Sequence, residues 1–268
     1  MSQPTLHFCH ANGFPASSYQ VLFDHLRDSY HIDFIDRLGH HPDYPVNNNW
    51  TNLRDELIGK LERQYTQAVI GVGHSLGGAV TFMAALKRPD LFRAVVLLDV
   101  PLLSHLEAWI VRISKQLNLI DYLTPAKQTL GRRTQWASRK EAVEYFRHKP
   151  LFRHFDQRCL VDYVENGTVA TEKGVTLAFD ADTEIDIFRT IPHNLPWRYR
   201  YLKVPAGVIA GQHSNVIKPY QMKRMVNTMG LLGDSVRGGH MFPFEHPKET
   251  AEHLRRLIDR LLQQRQAA

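Results

Sequence analysis

The chain of 268 residues is 43% apolar, enough for one large core or for a core carrying an inserted subdomain. Its net charge of +6 and pI near 9.3 come without a nucleic-acid motif or a basic run interleaved with aromatics, so nucleic acid is not an expected partner. No run of about 18 apolar residues is present, so no membrane span is expected.

The first residues, MSQPTLHF, lack the basic start and apolar stretch of a signal peptide. Cys9 and Cys159 are far apart and neither has a metal-ligand neighbour, which points to a reduced, cytoplasmic chain without disulfides. Short apolar runs then alternate with segments of helical period. "TLHFCH" (5–10) reads as a strand, followed by a helix near 17–29. "HIDFID" (31–36) is the next strand, and a Gly/Pro/Asn-rich loop leads from it to the helix "TNLRDELIGKLERQY". "QAVIGVG" (67–73) is a third strand, with "SLGGAVTFMAALKRP" helical after it. "RAVVLLDV" (93–100), "AGVIAG" (206–211) and the short "DSVRGG" (234–239) complete the strands, and a closing amphipathic helix begins near Pro247. Apolar strands separated by helices indicate the α/β class, with a parallel sheet covered on both faces.

The alternation stops after Pro101. Residues 102–201 read mostly helical until "ENGTVATEKGVTLAFDADTE" and are expected to form a lid between the fourth and fifth strands. Residues 1–101 and 202–268 would then be the core. Charge in this stretch is uneven: 112–158 hold 11 Lys/Arg against 4 Asp/Glu, whereas 159–186 hold 1 against 7.

"VIGVGHSLGGAV" contains Gly-x-Ser-x-Gly at Gly73–Gly77, between an apolar strand and a helix, the context this pattern requires. The glycines allow a turn so sharp that flanking side chains would strike the backbone, and it holds Ser75 in a strained conformation. The serine Oγ then projects at the C-terminal edge of the strands, where open α/β sheets bind ligands.

"HANGFPASSY", "GVGHSLGG", "LLDVP" and "GGHMFPFEHP" together resemble the α/β-hydrolase superfamily in order and spacing, over nearly the whole chain outside the lid. These motifs are specific for the fold and only weakly specific for substrate. The chain departs from the family at its start. "TLHFCH" is already the strand before the oxyanion loop, so the usual first two strands have no room and a mostly parallel sheet of about six strands is expected.

The resemblance implies a site. Ser75 is the expected nucleophile, and the Leu76 N–H, at a helix N-terminus, one oxyanion donor. Aligning Gly13-Phe14-Pro15 with the family's His-Gly-Phe loop makes the Phe14 N–H the second donor and leaves His10 and Asn12 as braces of the loop. His240, following Gly238-Gly239, is the expected base. His74 lies inside the elbow, and His40, His41 and His246 lie in loops. The usual acid follows the penultimate strand in a G-x-x-D turn, but that turn is Gly211-Gln212-His213-Ser214 here. Asp99, ending the strand after the nucleophile helix, is the expected substitute, as in similar small bacterial esterases with serine in that turn. A lid carboxylate, or a dyad without an acid, stays open.

A Ser-His-Asp triad implies a serine carboxylesterase that cleaves a small-molecule ester through an acyl-enzyme. No dinucleotide signature, P-loop or metal-spaced histidine pair is present, so no cofactor and no metal are expected. C–C bond hydrolysis, lactone opening and thioester cleavage use the same residues. A non-catalytic binding protein on the same fold is the alternative outside enzymes. The basic run at 112–158 is expected to line part of the substrate entrance and to favour acidic or amphiphilic esters.

Overall fold

The computed structural model describes residues 3–195 and 199–267; residues 196–198, within the segment read as a lid, lie outside the described residues. The first strands are β1 (Thr5–Cys9), β2 (His31–Phe34), β3 (Val69–His74) and β4 (Phe92–Leu98), joined through α1 (Gln20–Asp24), α2 (Thr51–Gln64) and α3 (Leu76–Lys87). An inserted segment follows. It holds α4 (His105–Gln116), α5 (Ile120–Leu123), α6 (Ala126–Thr129), the two-residue β5 (Gln135–Trp136), α7 (Arg139–Arg147) and α8 (Gln157–Gly167). The hairpin β6 (Thr168–Thr171)–β7 (Gly174–Leu177) and α9 (Ala181–Arg189) complete it. The chain returns through β8 (Ala206–Gly211), α10 (Pro219–Asn227), β9 (Leu232–Val236), α11 (Phe242–Glu245) and α12 (Pro247–Ala267).

Six strands form one sheet in the order β2-β1-β3-β4-β8-β9, every pairing parallel. The alternation of side chains explains why these strands are apolar throughout. Ala94, Val96 and Leu98 of β4 enter one core with α1 and α12, while Val95 and Leu97 enter the other with α2, α3 and α10. The three short strands of the insert form a separate antiparallel sheet, β5-β7-β6. No described helix is long and apolar enough to cross a membrane.

The helix expected near 17–29 is shorter. Residues 16–19 make a 3₁₀ turn, Tyr19 leaves helical geometry at φ −98°, ψ 21°, and α1 ends at Asp24. Burial of Leu22, Phe23 and Leu26 supplies the helical spacing seen in the sequence, although the chain reaches those positions partly through turns.

The register decides where the site forms. His74 lies opposite Leu98, and Leu98 opposite Ile209. Ser75 and Asp99 therefore leave adjacent strands side by side, with the turn after β8 next to them.

Three histidines sit fully inside this architecture. Burial lowers His7 and His10 to about 4 and His74 well below the usual imidazole value, so all three are neutral in the folded protein. The unfolded chain binds a proton at each below about pH 6.5, whereas the folded chain does not until about pH 4 at His7 and His10. The contribution of these three groups is therefore level above about pH 6.5 and falls as pH drops toward 4, by about 1.4 kcal/mol per pH unit for each. Urea midpoints measured at pH 7.5, 6 and 5 should fall in that order; equal midpoints at 7.5 and 5 would contradict this account.

Candidate active site

Ser75 occupies φ 52°, ψ −116°, a conformation L-residues avoid, at the point where β3 turns into α3. Two glycines make the turn possible. A Cβ on Gly73 would lie 2.3 Å from the Gly77 carbonyl carbon, and one on Gly77 would lie 2.2 Å from the Cys9 carbonyl oxygen. Neither gap admits a side chain. The Ser75 amide is held by the Leu98 carbonyl at 3.0 Å, and the Gly77 amide by the His10 carbonyl at 3.0 Å. The elbow is thus stitched to both neighbouring strands.

The three residues expected to act together are brought together. His240 Nε2 lies 3.1 Å from Ser75 Oγ, and its Nδ1 lies 2.7 Å from Asp99 Oδ2. A carboxylate oxygen can only accept, so Nδ1 carries the proton and Nε2 presents its lone pair to the serine hydroxyl. The Asp99 side chain is fully buried, while the His240 ring keeps 21% of its surface exposed.

Asp99 sits at φ +50° and is fixed from three sides. Its Oδ1 accepts from the Gly211 amide at 2.9 Å, and its Oδ2 accepts from the Ser214 hydroxyl at 2.5 Å as well as from His240. Ser214 also accepts from the Val216 amide at 3.0 Å. The turn after β8 therefore presents, at Ser214, a hydroxyl that donates to the Asp99 carboxylate. The His240 loop is steadied by Glu245, which accepts from the Gly239 amide at 2.8 Å.

The expected second oxyanion donor needs correction. The Phe14 amide donates to the Ala11 carbonyl at 3.0 Å, closing a turn, so it is not available to a substrate. Its ring anchors the loop in an aromatic cluster with Phe152, Tyr163 and Phe244. Asn12 is among the residues lining the cavity at Ser75, and neither the Asn12 backbone amide nor the Leu76 amide has an acceptor among the described residues. Asn12 Nδ2 donates to the Glu184 carbonyl at 3.0 Å, and Arg132 grips both carboxylate oxygens of buried Glu184. The insert thus holds the loop from outside.

His10 and His74 brace the site through defined protons. His10 Nε2 accepts from the Leu38 amide at 2.8 Å, so its Nδ1 donates to the Ala11 carbonyl at 2.8 Å. Tyr19 Oη accepts from the Ala11 amide at 3.1 Å and gives its own proton to His74 Nδ1 at 2.9 Å. His74 Nε2 then donates to the His240 carbonyl at 2.9 Å. Each donor and acceptor fixes the next, so this buried chain links the oxyanion loop to the His240 loop. Nothing in the sequence pairs Tyr19 with His74, 55 positions away.

A cavity of about 440 Å³ opens at Ser75 between the sheet edge and the insert. Leu76, Val100, Leu123, Ile187, Ile191 and Val216 are among the apolar residues lining it, and its polar lining, Asn12, Thr124 and Asn215 included, carries no charge. This corrects the entrance expected for the basic run. Of residues 112–158 only Leu123, Thr124 and Pro125 reach the cavity.

A nucleophile elbow at the carboxyl edge of a six-stranded parallel sheet, with a histidine and an aspartate in line behind the serine, defines an α/β-hydrolase site. The profile described as "Alpha/beta hydrolase family" matches residues 8–253, and the chain belongs to that family. Among curated proteins it is 34% identical over 90 residues to "Uncharacterized hydrolase YugF" of Bacillus subtilis (strain 168), covering 31% of this chain and 32% of that one. It is 29% identical over 167 residues to "Type I acyl-CoA thioesterase mpaH" of Penicillium brevicompactum, covering 56% and 36%. The matched stretches span about a third of these relatives' lengths. The structure of E-2-(acetamidomethylene)succinate hydrolase superposes with a TM-score of 0.80 at 21% identity, over 96% of this chain and 92% of the other.

Proposed function

We propose that the protein is a serine hydrolase that cleaves carboxylic esters through an acyl-enzyme, without a cofactor. The observation that carries this reading is the unbroken line Asp99–His240–Ser75, whose serine lines an apolar, uncharged cavity. Ser75 Oγ attacks the acyl carbon while His240 Nε2 takes its proton, and Asp99 stabilises the imidazolium that forms. The carbonyl oxygen becomes an oxyanion held by the Leu76 and Asn12 amides; loss of one such donor typically costs about 2.7–4 kcal/mol. His240 then protonates the leaving alcohol, and the acyl group stays on Ser75. Water attacks next, His240 takes its proton, and the acid departs as Oγ is reprotonated.

The insert serves as a lid that supplies the upper wall of the acyl pocket through Leu123, Ile187 and Ile191. An apolar pocket of this volume suits an uncharged short or medium acyl chain. A carboxylate on that chain would be desolvated without a partner. A p-nitrophenyl ester panel of graded chain length, with a succinyl ester of matching size, tests the reading beside Ser75→Ala. The expected result is a maximum in kcat/KM at a neutral acyl chain and a succinyl ester at least about a hundredfold poorer. An S-acyl thioester of the preferred chain, run in parallel, measures thioesterase activity, the function named for the Penicillium relative.

A further inference from the structure

A second cavity, of about 780 Å³, lies on the other side of the wall made by α5 and the end of α9. Leu123 and Ile187 face the acyl pocket from that wall, while Asp121, Arg189 and His193 line the second cavity. Its one carboxylate is already engaged, because Arg189 holds both oxygens of Asp121 at 2.9 and 2.6 Å. Two further cations, Arg112 and Lys115, line the same space from α4. They stand three residues apart on one helix face, where like charges repel. Neither has a carboxylate partner among the described residues.

The hydrogen bonds say what each group can offer. Lys115 Nζ donates to Asn48 Oδ1 at 2.7 Å, to the Ile191 carbonyl at 2.5 Å and to His193 Nδ1 at 3.3 Å. All three acceptors are neutral, so the ammonium is fully bonded yet electrically uncompensated. Burial pulls it down to about 8 with no acidic neighbour to restore it. Because His193 Nδ1 accepts, the neutral ring carries its proton on Nε2. Burial, then the charges of Lys115 and Arg112, keep that ring below the usual imidazole value. The Arg112 guanidinium has no hydrogen-bond partner among the described residues.

We propose that this cavity is an oxyanion-binding site, taking a phosphate or carboxylate group. Arg112 supplies the two-pronged donor that matches either group, His193 Nε2–H a further donor, and Lys115 the fixed positive charge beneath them. An anion there cancels the excess charge that α4 brings into the cavity. It also gives a place to two members of the basic run that do not reach the acyl pocket.

The test is binding of inorganic phosphate and of succinate to the full chain, read by titration calorimetry without any ester. The expected result is saturable binding of at least one, weakened at least about tenfold by Arg112→Ala. Lys127→Ala, which removes an equal charge over the Tyr122 ring outside the cavity, should leave it unchanged. Binding should persist in Ser75→Ala, so failure here is separate from failure of the hydrolase reading. Absence of saturable binding by both anions, or equal weakening by Arg112→Ala and Lys127→Ala, overturns the site. A second measurement identifies the source of the anion. If phosphate raises KM for an ester with an anionic leaving group but not for a neutral one, the site holds part of the substrate. If both KM values stay unchanged while phosphate binds, it holds a free anion.

Discussion

Replacing Ser75 with alanine should lower kcat for ester hydrolysis by about 10⁶-fold while the protein stays folded. The change removes a single oxygen and leaves the elbow's packing intact. Residue 75 keeps its positive φ, and the bonds from its amide to Leu98 and from the Gly77 amide to His10 do not involve the lost hydroxyl. What disappears is the atom 3.1 Å from His240 Nε2 that would form the acyl bond in the proposed reaction. The amides of Leu76 and Asn12 would remain, so a small residual rate above that in water is expected from oxyanion stabilisation alone. A serine-directed phosphonate should label Ser75 and no other residue, and the alanine variant should not be labelled. Full activity in that variant would end the esterase proposal.

Asp99→Asn is the second large effect, with kcat expected to fall by up to about 10⁴-fold. The asparagine fits the same space, but its side chain has one acceptor where the carboxylate serves three donors: Gly211 N–H, the Ser214 hydroxyl and His240 Nδ1–H. An amide NH₂ turned toward His240 forces Nδ1 to accept. The ring proton then moves to Nε2, where it faces Ser75 and cannot receive the serine's proton. Ser214→Ala removes only one of the three donors and should cost about tenfold. Ser214→Asp in the Asp99→Asn background should recover part of the rate, because the side chain at 214 already stands 2.5 Å from the Asp99 oxygen that meets His240. Near-normal kcat for a folded Asp99→Asn protein would refute the assignment.

How much of this was legible in the sequence differed by residue. The elbow was legible because Gly73 and Gly77 leave little alternative to a strand–turn–helix once an apolar run precedes them. His240 stood out among 15 histidines because Gly238-Gly239 precede it at the end of the last strand. Asp99 could be reached only through the empty G-x-x-D turn, since an aspartate at a strand end is common by itself. Phe14 was misassigned for a local reason: which amide of residues 11–14 closes a turn and which stays free depends on backbone angles that alignment does not carry. Tyr19 and the destination of the basic run were hidden altogether. Both depend on which faces of distant segments meet, and helical spacing reports only that a face exists.

Ser75 and Asp99 follow the C-terminal ends of the two strands of one strand–helix–strand unit, β3–α3–β4, and of the three residues in line only His240 comes from beyond the insert. On the proposed assignment, this divides the chain into parts that can change at different rates over descent. The unit from Val69 to Asp99 holds both the attacking oxygen and the charge that supports the base, and it is complete before the insert begins. The turn after β8 is relieved of an ionised group and has only to place a hydroxyl at Ser214 and wall residues at Asn215 and Val216. Insert and turn together shape what enters the cavity. A lineage with this arrangement can exchange the upper wall of its acyl pocket, by replacement of a continuous stretch of chain, without rebuilding the machinery that breaks the bond.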